Sequence, residues 1–400
     1  MNDSKITFLY TNIGRGHPFY LDGIADALVR SGNVRIVRQK TDVFELSSFI
    51  PRLGWQLARW LYVRGSSGGA VGNFYRWLRT GNNHGRLSLM LRIMGADIRR
   101  KCRSATDHQP LLVAHPTLVR ILHGRPGLVY QHGEVVAPEE ALVTGADIVS
   151  VPTDEVAKLF TAAGCPPESV FVSGLCIEPA LVLQSSDAFD VRLKRLQDSG
   201  LLSGTGFSSG AEPLPHIQML VAAAVAAVKS GHRMILFARQ GGRLERAAIS
   251  SFAAANVPID VIDSRTPLPS ELPMALLVLS SSRREEDSLT ARLFPNFDFF
   301  LAPSHERSNW ALGLGLPMFI IEPCIGPYAP LNQDFLLRHR VAERLVSQED
   351  AAAFGRRLEA ARAEGHLLQM ARSGWGRFTI TGFERIAGML ADRFGVIETP

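Results

Sequence analysis

The chain has 400 residues and is 46% hydrophobic, which suits two domains of ordinary size that each bury a core. No apolar run approaches the roughly 18 residues of a membrane span, and Met1–Tyr10 lacks the sections of a signal peptide, so we expect a cytoplasmic protein. The four scattered cysteines form no C-x-x-C pair, so we expect neither a zinc site nor disulfides. The net charge of +5 is uneven: residues 51–103 carry 11 basic residues against one acid, whereas the rest carries 32 basic and 37 acidic residues, and this indicates an anionic partner.

A glycine loop follows the first predicted strand. Lys5–Asn12 is a short apolar run, and Phe19–Val29 has the spacing of an amphipathic helix. Between them, the sequence IGRGHPF carries Gly14, Gly16 and His17. Glycines at the carboxyl end of a strand allow a ligand to approach the backbone, which is where open α/β sheets bind their ligands, although glycine is equally typical of a plain tight turn.

The basic segment, residues 51–103, follows a second predicted strand over Arg35–Gln39 and is treated as an insertion. It interleaves aromatic rings with arginines and holds three of the five tryptophans. Such a composition is typical of the bilayer interface, where rings occupy the headgroup boundary and guanidinium groups meet anionic lipid. A solvated helical insertion with buried rings is the alternative, and nucleic acid is the least favoured partner. The membrane interpretation rests on Arg52, Trp55, Arg59, Trp60, Arg76, Trp77 and Arg79.

Strands and helices then alternate, which predicts a parallel sheet. Strands are predicted over 111–115, 128–131, 148–152 and 169–173, with a helix over 154–163. His115 and His132 each come directly after a strand, and Glu134 follows closely. Such a histidine is usually a hydrogen-bonded rim residue. Because the carboxyl ends of parallel strands meet at one edge, we expect His17, His115 and His132 there together, and we predict a chemical role for at least one of them.

A second α/β unit follows the polar stretch 181–198, which is the best candidate for a linker. Gly200–Ser203 is predicted as a strand, the sequence GTGFSSGAEP, with Gly206, as a loop, and Ile217–Lys229 as a helix. Further strands are predicted over 234–238, 259–262, 275–279 and 297–302, with a helix over 243–255. The two halves each begin with a strand, a glycine loop and a helix, so we expect two Rossmann-like domains that face each other across a cleft.

The stretch Ala302–Asp334 has the composition of a nucleotide phosphate site. Residues 304–309 are polar, follow a strand and precede a short predicted helix, Trp310–Gly315, which Ser308 or Asn309 could cap. A helix N-terminus and Arg307 favour a phosphate group. Later in the stretch, the amides of Asn332 and Gln333 and the carboxylate of Asp334 could bind the hydroxyl groups of a sugar. Alternatively, these residues cap a second helix. The candidate residues are Ser304, His305, Glu306, Arg307, Ser308, Asn309, Asn332, Gln333 and Asp334.

Several motifs resemble one known family. The run ALGLGLPMFIIEP followed by N-Q-D is similar to the donor-binding half of GT-B glycosyltransferases, in particular the group of monogalactosyldiacylglycerol synthase and the GlcNAc transferase that forms lipid II. In the first half, NIGRGH resembles the glycine-rich acceptor loop of these enzymes, and LLVAHPT resembles the His-Pro strand of the diacylglycerol enzymes. The segments YQHGEVVAPEEALVTGADIVSVPT and VFVSGLCIEP are similar in layout to the corresponding parts of the family.

The resemblance implies a GT-B fold with an acceptor domain over 1–180, a donor domain over 199–373 and a C-terminal helix, 374–395, that crosses back to the first domain. It implies a metal-independent transferase, with no cofactor, that moves a sugar from a nucleotide sugar, with UDP as the favoured nucleotide, to a lipid or membrane-presented acceptor. His17 would be the general base, Gly14 and Gly16 would shape its loop, and His115, His132 and Glu134 would lie on the acceptor side.

The sequence departs from the family at one position. Trp310 stands where these enzymes have a ribose-binding Glu, and Glu306 is the nearby carboxylate that could substitute. The transferase would act at the inner face of the membrane. Because of the departure at Trp310, two other functions stay open beside it. One is a nucleotide-sugar 2-epimerase, and the other is a GT-B-like binding module without catalytic activity.

Overall fold

The computed structural model describes residues 4–11, 16–31, 36–65, 89–103 and 109–394. The chain divides into two compact units. Unit 1 comprises Met1–Ile177 and Thr379–Pro400, and unit 2 comprises Glu178–Phe378. Each unit contains a parallel sheet with helices, as the alternating sequence pattern predicts.

Unit 1 has a six-stranded parallel sheet in the order β2-β1-β3-β4-β5-β6. Its strands are β1 (Ser4–Tyr10), β2 (Ile36–Asp42), β3 (Leu111–Val113), β4 (Leu128–Gln131), β5 (Ile148–Val151) and β6 (Val170–Val172). The chain passes from β1 to β2 on one side and then returns to place β3 on the other side of β1. The carboxyl ends of β1 and β3 therefore form a topological switch point, where open α/β sheets bind ligands.

Helices connect these strands. They are α1 (Gly16–Arg30), α2 (Val43–Leu46), α3 (Phe49–Gly65), α4 (Leu89–Met94), α5 (Ala96–Arg103), α6 (Pro116–Leu122) and α7 (Asp154–Ala162). The core on one face of the sheet joins strand residues such as Val113 and Tyr130 to Trp55 of α3 and Ile98 of α5. The basic segment is thus anchored to this core by α3 and α5.

Unit 2 has a seven-stranded parallel sheet in the order β13-β12-β11-β7-β8-β10-β9. Its strands are β7 (Ser203–Phe207), β8 (Arg233–Arg239), β9 (Asp260–Ile262), β10 (Ala275–Ser280), β11 (Phe299–Ala302), β12 (Met318–Ile321) and β13 (Ala342–Leu345). The strand order reverses between β7 and β11, so the switch point of this unit lies at their carboxyl ends.

The helices of unit 2 are α8 (Pro179–Val182), α9 (Ser185–Gln197), α10 (Leu214–Lys229), α11 (Arg243–Ala254), α12 (Arg283–Leu293), α13 (Ser308–Gly313), α14 (Tyr328–Arg338), α15 (Gln348–Ala352), α16 (Phe354–Ala363) and α17 (His366–Gly374). Residues 181–198, which the sequence suggested as a linker, contain α9 and belong to this unit. Arg192 of α9 is buried and donates to the backbone oxygens of Phe297 (2.8 Å) and Leu314 (2.9 Å), so α9 is tied into the unit.

The last helix, α18 (Gly382–Phe394), packs in unit 1, as the resemblance implied for the C-terminal helix. It begins at Gly382 rather than at the expected residue 374, because Gly374 ends the separate helix α17 and residues 375–381 are not helical. The ring of Phe383 lies against Gly23 of α1, where a Cβ atom would approach the ring to 2.3 Å. Gly23 therefore allows α18 to pack closely on α1.

One glycine was placed in the wrong element. Gly206 was expected in a ligand loop, but it lies inside β7, where it pairs with Leu301 of β11. A Cβ atom here would come within 2.7 Å of the side chains of Leu220 and Leu236. The absence of a side chain thus serves the packing of α10 on the sheet rather than a phosphate group. Glycine is uncommon in strands, which is why the sequence pattern predicted a loop.

Candidate functional site

Two histidines meet at the switch point of unit 1. His17 lies in the first turn of α1, which follows β1, and His115 comes two residues after the end of β3. Their ring centroids are 4.6 Å apart at an interplanar angle of 55°. The structure therefore brings His17 and His115 into contact at this edge, and the third histidine, His132, lies near enough to His17 to interact with it electrostatically. Gly16 is the first residue of α1, and Gly14 lies outside the described residues.

His115 also caps a helix. Its Nδ1 accepts a hydrogen bond from the backbone N–H of Thr117 at 3.1 Å, and Pro116 occupies the first position of α6, where a missing N–H group costs nothing. A backbone N–H can only donate, so Nδ1 of His115 is unprotonated in this arrangement. The side chain of His115 is half-buried.

His132 is a different kind of histidine. It is 2% exposed, its Nε2 lies 3.0 Å from the backbone oxygen of Val136, and its Nδ1 lies 3.4 Å from the hydroxyl of Tyr130. Burial lowers the pKa of His132 to about 4, so the ring is neutral at pH 7. His132 therefore supports the chain after β4, and it does not present a base to solvent. Glu134, two residues later, is half-buried.

The switch point of unit 2 holds an arginine between aromatic rings. The guanidinium carbon of Arg307 lies 4.1 Å from the centroid of Phe207, the last residue of β7, and Trp310 meets the same ring edge-on at 5.4 Å. The guanidinium group of Arg307 also contacts the carboxylate of Glu286 in α12, and both side chains are about nine-tenths buried. A phosphate group would therefore compete with Glu286 for Arg307, whose charge this carboxylate neutralises, although the Nε of Arg307 has no hydrogen-bond partner among the described residues.

Arg283, the first residue of α12, organises a second set of ion pairs beside this arginine. It donates to Asp287 at 2.7 Å, to Glu178 at 3.1 Å and to Glu306 at 3.1 Å. Although burial opposes the charge, Arg283 and Arg307 lower the pKa of Glu306 to about 2. Glu306 is therefore ionised at neutral pH, and its side chain remains 18% exposed.

Trp310 belongs to the same network. Its indole Nε1 donates to Glu178 Oε2 at 2.9 Å, and the ring is 2% exposed. The residue that stands in place of the expected ribose-binding Glu thus fills a core position of α13. The carboxylates at this point come instead from Glu178 and Glu306, which lie elsewhere in the sequence.

Most of the remaining candidate residues form hydrogen bonds that join the loops after β11 and β12 to helix α14. Ser304 Oγ donates to the Ala329 oxygen at 2.8 Å, and Asn332 Nδ2 donates to the Ser304 oxygen at 3.1 Å. Gln333 Nε2 donates to Glu322 at 2.6 Å. Asn332 and Gln333 are buried in the middle of α14, which begins at Tyr328, so they do not cap that helix as the alternative interpretation supposed. Asp334 is exposed and lies on the same helix.

The residues before and inside α13 also differ from the prediction. Ser308 and Asn309 are its first residues and are buried, and the position before the helix is Arg307, which makes no side-chain cap. The helix begins two residues earlier than predicted and therefore encloses the two residues that were expected to cap it. Burial lowers the pKa of the neighbouring His305.

The sequence did not identify two central members of this network. Arg283 and Glu286 stand in the polar run SSRREED directly after β10, which is the position that signals a site in an open sheet. A polar run at the carboxyl end of a strand would therefore have predicted that Arg283 and Glu286 belong to the site. Glu178 gave no such signal, because its partner Trp310 is 132 residues away along the chain.

The described part of the basic segment, together with the two residues that precede it, exposes an apolar surface, which we call the outer face. It comprises Phe49, Ile50, Leu53, Leu57 and Trp60 of α3 with Leu89, Met90 and Ile93 of α4, and each of these side chains is between 44% and 75% exposed. Arg52, Arg59 and Arg92 are exposed beside them, and an open cavity of about 630 Å³ lies between the first turn of α3 and α4. Within the described ranges, no helix is long and apolar enough to cross a bilayer.

Trp55 was wrongly assigned to this surface. It is 1% exposed, packs in the core, and donates its indole N–H to the Met94 oxygen at 3.1 Å. α3 has apolar residues on two sides, and the helical spacing alone could not show which side faces the sheet. Arg76, Trp77 and Arg79 lie outside the described residues.

Comparisons with known proteins find similarity only at the level of structure. No protein-family model matches the chain, and no curated protein matches its sequence. Among solved structures, Staphylococcus aureus MnaA bound to UDP has a TM-score of 0.55 at 10% identity and covers 99% of both chains. The UDP-GlcNAc 2-epimerase of Neisseria meningitidis bound to UDP-GlcNAc has a TM-score of 0.53 at 8% identity, covering 98% of this chain and 99% of that one.

A glycosyltransferase is similar to the same extent. Arabidopsis thaliana UGT89C1 complexed with UDP-L-rhamnose has a TM-score of 0.51 at 9% identity, covering 98% of this chain and 99% of that one. At such identities the similarity shows the fold alone. The match extends over the full length, however, and both units contribute a Rossmann-like parallel sheet. The chain therefore has the GT-B fold that the sequence predicted, with a C-terminal helix that returns to the first unit.

Proposed function

We propose that the protein is a metal-independent glycosyltransferase that moves a sugar from a nucleotide sugar to a lipid or another membrane-presented acceptor. The observation that carries this proposal is the outer face of α3 and α4, because it occurs in the same unit as the His17–His115 pair. Exposed apolar patches mark membrane or protein interaction sites, and the exposed arginines of this one favour an anionic membrane, where a lipid acceptor would lie.

The chemistry of the outer face fits an anionic membrane surface. Large apolar side chains, with Trp60 among them, can enter the headgroup boundary, while Arg52, Arg59 and Arg92 can meet phosphate groups. Each such cation near an anionic leaflet contributes about 1 kcal/mol, and the basic segment has a net charge of +10. The cavity at the first turn of α3 offers room for part of an acyl chain.

For the donor we propose a UDP-sugar bound at the switch point of unit 2. The three similar proteins named above were solved with UDP or a UDP-sugar, which supports this choice of nucleotide. Glu306 is the best candidate to accept hydrogen bonds from a vicinal diol, because its carboxylate is ionised and still accessible. Asp334 is exposed on α14 and is the second available carboxylate.

In this mechanism His17 is the general base. As the hydroxyl oxygen of the acceptor forms a bond to the anomeric carbon, the bond from that carbon to the diphosphate oxygen breaks, and UDP leaves with the electron pair. His17 takes the hydroxyl proton and releases it to solvent. A neutral imidazole has a suitable pKa for this step at pH 7. Arg307 can stabilise the leaving diphosphate more strongly if the phosphate oxygens replace Glu286 as its partner.

Two alternatives each have an observation in their favour. One of the three similar structures named above is a UDP-GlcNAc 2-epimerase, and an epimerase needs no acceptor. A catalytically inactive binding module is favoured by the pairing of Arg307 with Glu286, which occupies the expected phosphate contact. The transferase with a lipid acceptor explains the outer face and the histidine pair by one function, whereas the alternatives require a separate partner for the outer face.

One experiment separates these functions. The full-length protein is incubated with radiolabelled UDP-sugars and with vesicles made from a lipid extract that contains anionic phospholipids, and both the lipid phase and the sugar nucleotides are analysed. The transferase predicts label in the lipid phase that depends on the vesicles and is lost in His17→Gln. A new sugar nucleotide formed without vesicles indicates the epimerase. UDP-sugar binding without either product, in every sugar tested, would indicate the binding module and contradict our proposal.

A further inference from the structure

The carboxyl edge of the sheet in unit 2 contains buried polar atoms that have no hydrogen-bond partner among the described residues. They include Nε of Arg307, the hydroxyl groups of Ser208 and Ser308, and Nδ1 of His216. Arg307 is 8% exposed, and Ser308 and His216 are each 1% exposed. Because an unpaired buried polar group costs stability, several such atoms beside one switch point indicate that a ligand completes their hydrogen bonds.

His216 differs from the other three residues, because its unpaired atom can only accept. It lies in the first turn of α10, the helix that follows β7. Its Nε2 is 2.7 Å from the backbone oxygen of Pro323, and since a carbonyl oxygen only accepts, Nε2 carries the ring proton. Burial lowers the pKa of His216, so the ring is neutral at pH 7 and Nδ1 is an unprotonated acceptor.

A sugar nucleotide offers different partners to these atoms. The oxygens of a diphosphate accept hydrogen bonds, so they suit the N–H group of Arg307 and the two serine hydroxyl groups, but they have no hydrogen to donate to His216. The hydroxyl groups of the sugar do have one.

The surroundings of His216 favour the sugar over the rest of the nucleotide. Its partner Pro323 lies in the loop after β12, and this loop leads into α14, which carries the residues predicted to bind the sugar. His305, in the loop after β11, is near enough to the ring of His216 to interact with it electrostatically. The ring therefore lies beside both loops of the candidate donor site.

We propose that Nδ1 of His216 accepts a hydrogen bond from one hydroxyl group of the donor sugar, and that His216 thereby helps to select this sugar. The inference rests on the proposed binding of a UDP-sugar at the switch point of unit 2. The other groups of the substrate that could donate, the uracil N3–H and the ribose hydroxyl groups, are also present in UDP. A comparison of UDP with UDP-sugars therefore separates them from the sugar.

His216→Gln is the variant that separates the two ring nitrogens. Its terminal amide can reach the place of Nε2 and donate to the Pro323 oxygen, whereas the acceptor at the place of Nδ1 is lost. The full-length protein is titrated calorimetrically with UDP, UDP-glucose, UDP-galactose and UDP-GlcNAc. We expect the affinity for the preferred UDP-sugar, divided by that for UDP, to fall about 3- to 10-fold in His216→Gln, as for the loss of one hydrogen bond. His366→Gln, at an exposed position beside Glu364, should keep the ratio of the wild type.

Monodeoxy analogues of the preferred UDP-sugar identify the hydroxyl group. The wild type should bind one analogue about 3- to 10-fold more weakly than the parent compound. His216→Gln should bind that analogue and the parent compound equally, because the hydrogen bond is already absent. An unchanged penalty for every analogue in His216→Gln would contradict the proposal.

The titrations also separate this inference from the function on which it rests. Equal affinity ratios in the wild type and His216→Gln would overturn the role of His216 and leave the transferase intact. An equal loss for UDP and UDP-sugars would overturn it too, since His216 would then contact the nucleotide or be merely structural. If the sugar preference depends on His216 but no sugar reaches a lipid, the transferase fails and the inference stands. If the wild type binds neither UDP nor any UDP-sugar, both are wrong.

Discussion

Trp310 donates its indole N–H to a carboxylate oxygen of Glu178 at 2.9 Å, and both residues are buried in unit 2. Glu178 is the first residue of that unit, and its other carboxylate oxygen accepts from Arg283. The tryptophan that replaces the expected ribose-binding Glu is therefore part of the support for the donor loop. Through Arg283, that support reaches Glu306, which is the carboxylate that we propose for the diol.

The first prediction concerns this hydrogen bond. Trp310→Phe keeps most of the ring contact with Phe207 and Phe300 but leaves the Glu178 oxygen without the indole donor. We expect the free energy of unfolding to fall by about 1–3 kcal/mol, in part because a buried acceptor loses its partner. Urea denaturation at pH 7.5 measures this change.

A double-mutant cycle provides the control. If the bond matters, Trp310→Phe should cost less in a Glu178→Gln background than in the wild type, because the charged acceptor is already absent. Fully additive costs would show that the loss comes from the smaller ring and not from the hydrogen bond.

The second prediction tests whether Arg307 can serve a phosphate group. Glu286→Gln removes the charge that neutralises Arg307. We expect UDP to bind about 3- to 10-fold more tightly, a gain of the order of 1 kcal/mol, because the nucleotide no longer competes with a carboxylate. Titration calorimetry with UDP on the full-length protein measures the affinity.

Two variants accompany this titration. Arg307→Met should weaken UDP binding, and Glu343→Gln, which breaks an ion pair with Arg357 at the edge strand β13, should leave it unchanged. Equal affinities in the wild type, Glu286→Gln and Arg307→Met would show that Arg307 has no part in the donor site.

The third prediction concerns pH. Burial raises the pKa of Asp287 to about 7, although Arg283 opposes the shift. In the unfolded chain an aspartate has a pKa near 3.9, so the folded protein holds an extra proton between roughly pH 4 and pH 7. This group therefore contributes stability that is present at low pH and is lost as the pH rises through 7.

Asp287→Asn removes this loss. We expect the difference in the free energy of unfolding, variant minus wild type, to increase by about 1 kcal/mol when the pH is raised from 5 to 8. Asp198→Asn, at an exposed position after α9, should show no such change with pH. Guanidinium titrations at the two pH values measure both differences. A constant difference for Asp287→Asn would mean that this carboxyl group is ionised throughout.

The fold and part of the site could be predicted because they depend on local patterns and one topological rule. The alternation of apolar runs and helices indicated parallel sheets. The rule that ligands gather at the carboxyl ends of strands predicted that His17 and His115 lie together, and their ring centroids are indeed 4.6 Å apart. Their chemical roles stay predictions.

Pairings between distant residues could not be predicted. The burial of Trp55 depends on which of two apolar sides of α3 meets the core, and the neutralisation of Arg307 depends on Glu286 in another helix. In each case the residue type suited a surface or a ligand equally well, and only the three-dimensional partner decided between them. The same holds for Gly206, whose missing side chain accommodates α10.

The last prediction uses two tryptophans of α3 that lie on opposite sides. Trp60 is 51% exposed on the outer face, whereas Trp55 is buried. We expect Trp60→Ser to weaken binding to anionic phospholipid vesicles about tenfold, since roughly 1.4 kcal/mol of apolar transfer is lost, and to change the free energy of unfolding by less than about 0.5 kcal/mol. Vesicle co-sedimentation and urea denaturation measure the two quantities.

Trp55→Phe is the matched variant, and its profile should be the reverse. It loses the hydrogen bond to the Met94 oxygen and should lower the free energy of unfolding by about 1–3 kcal/mol, while the folded protein binds vesicles as the wild type does. Raising the salt concentration should weaken the binding of all three proteins, because the exposed arginines are screened. If Trp60→Ser binds vesicles normally, or if neutral vesicles bind as well as anionic ones at low salt, the outer face does not dock on an anionic membrane, and the lipid acceptor loses its main support.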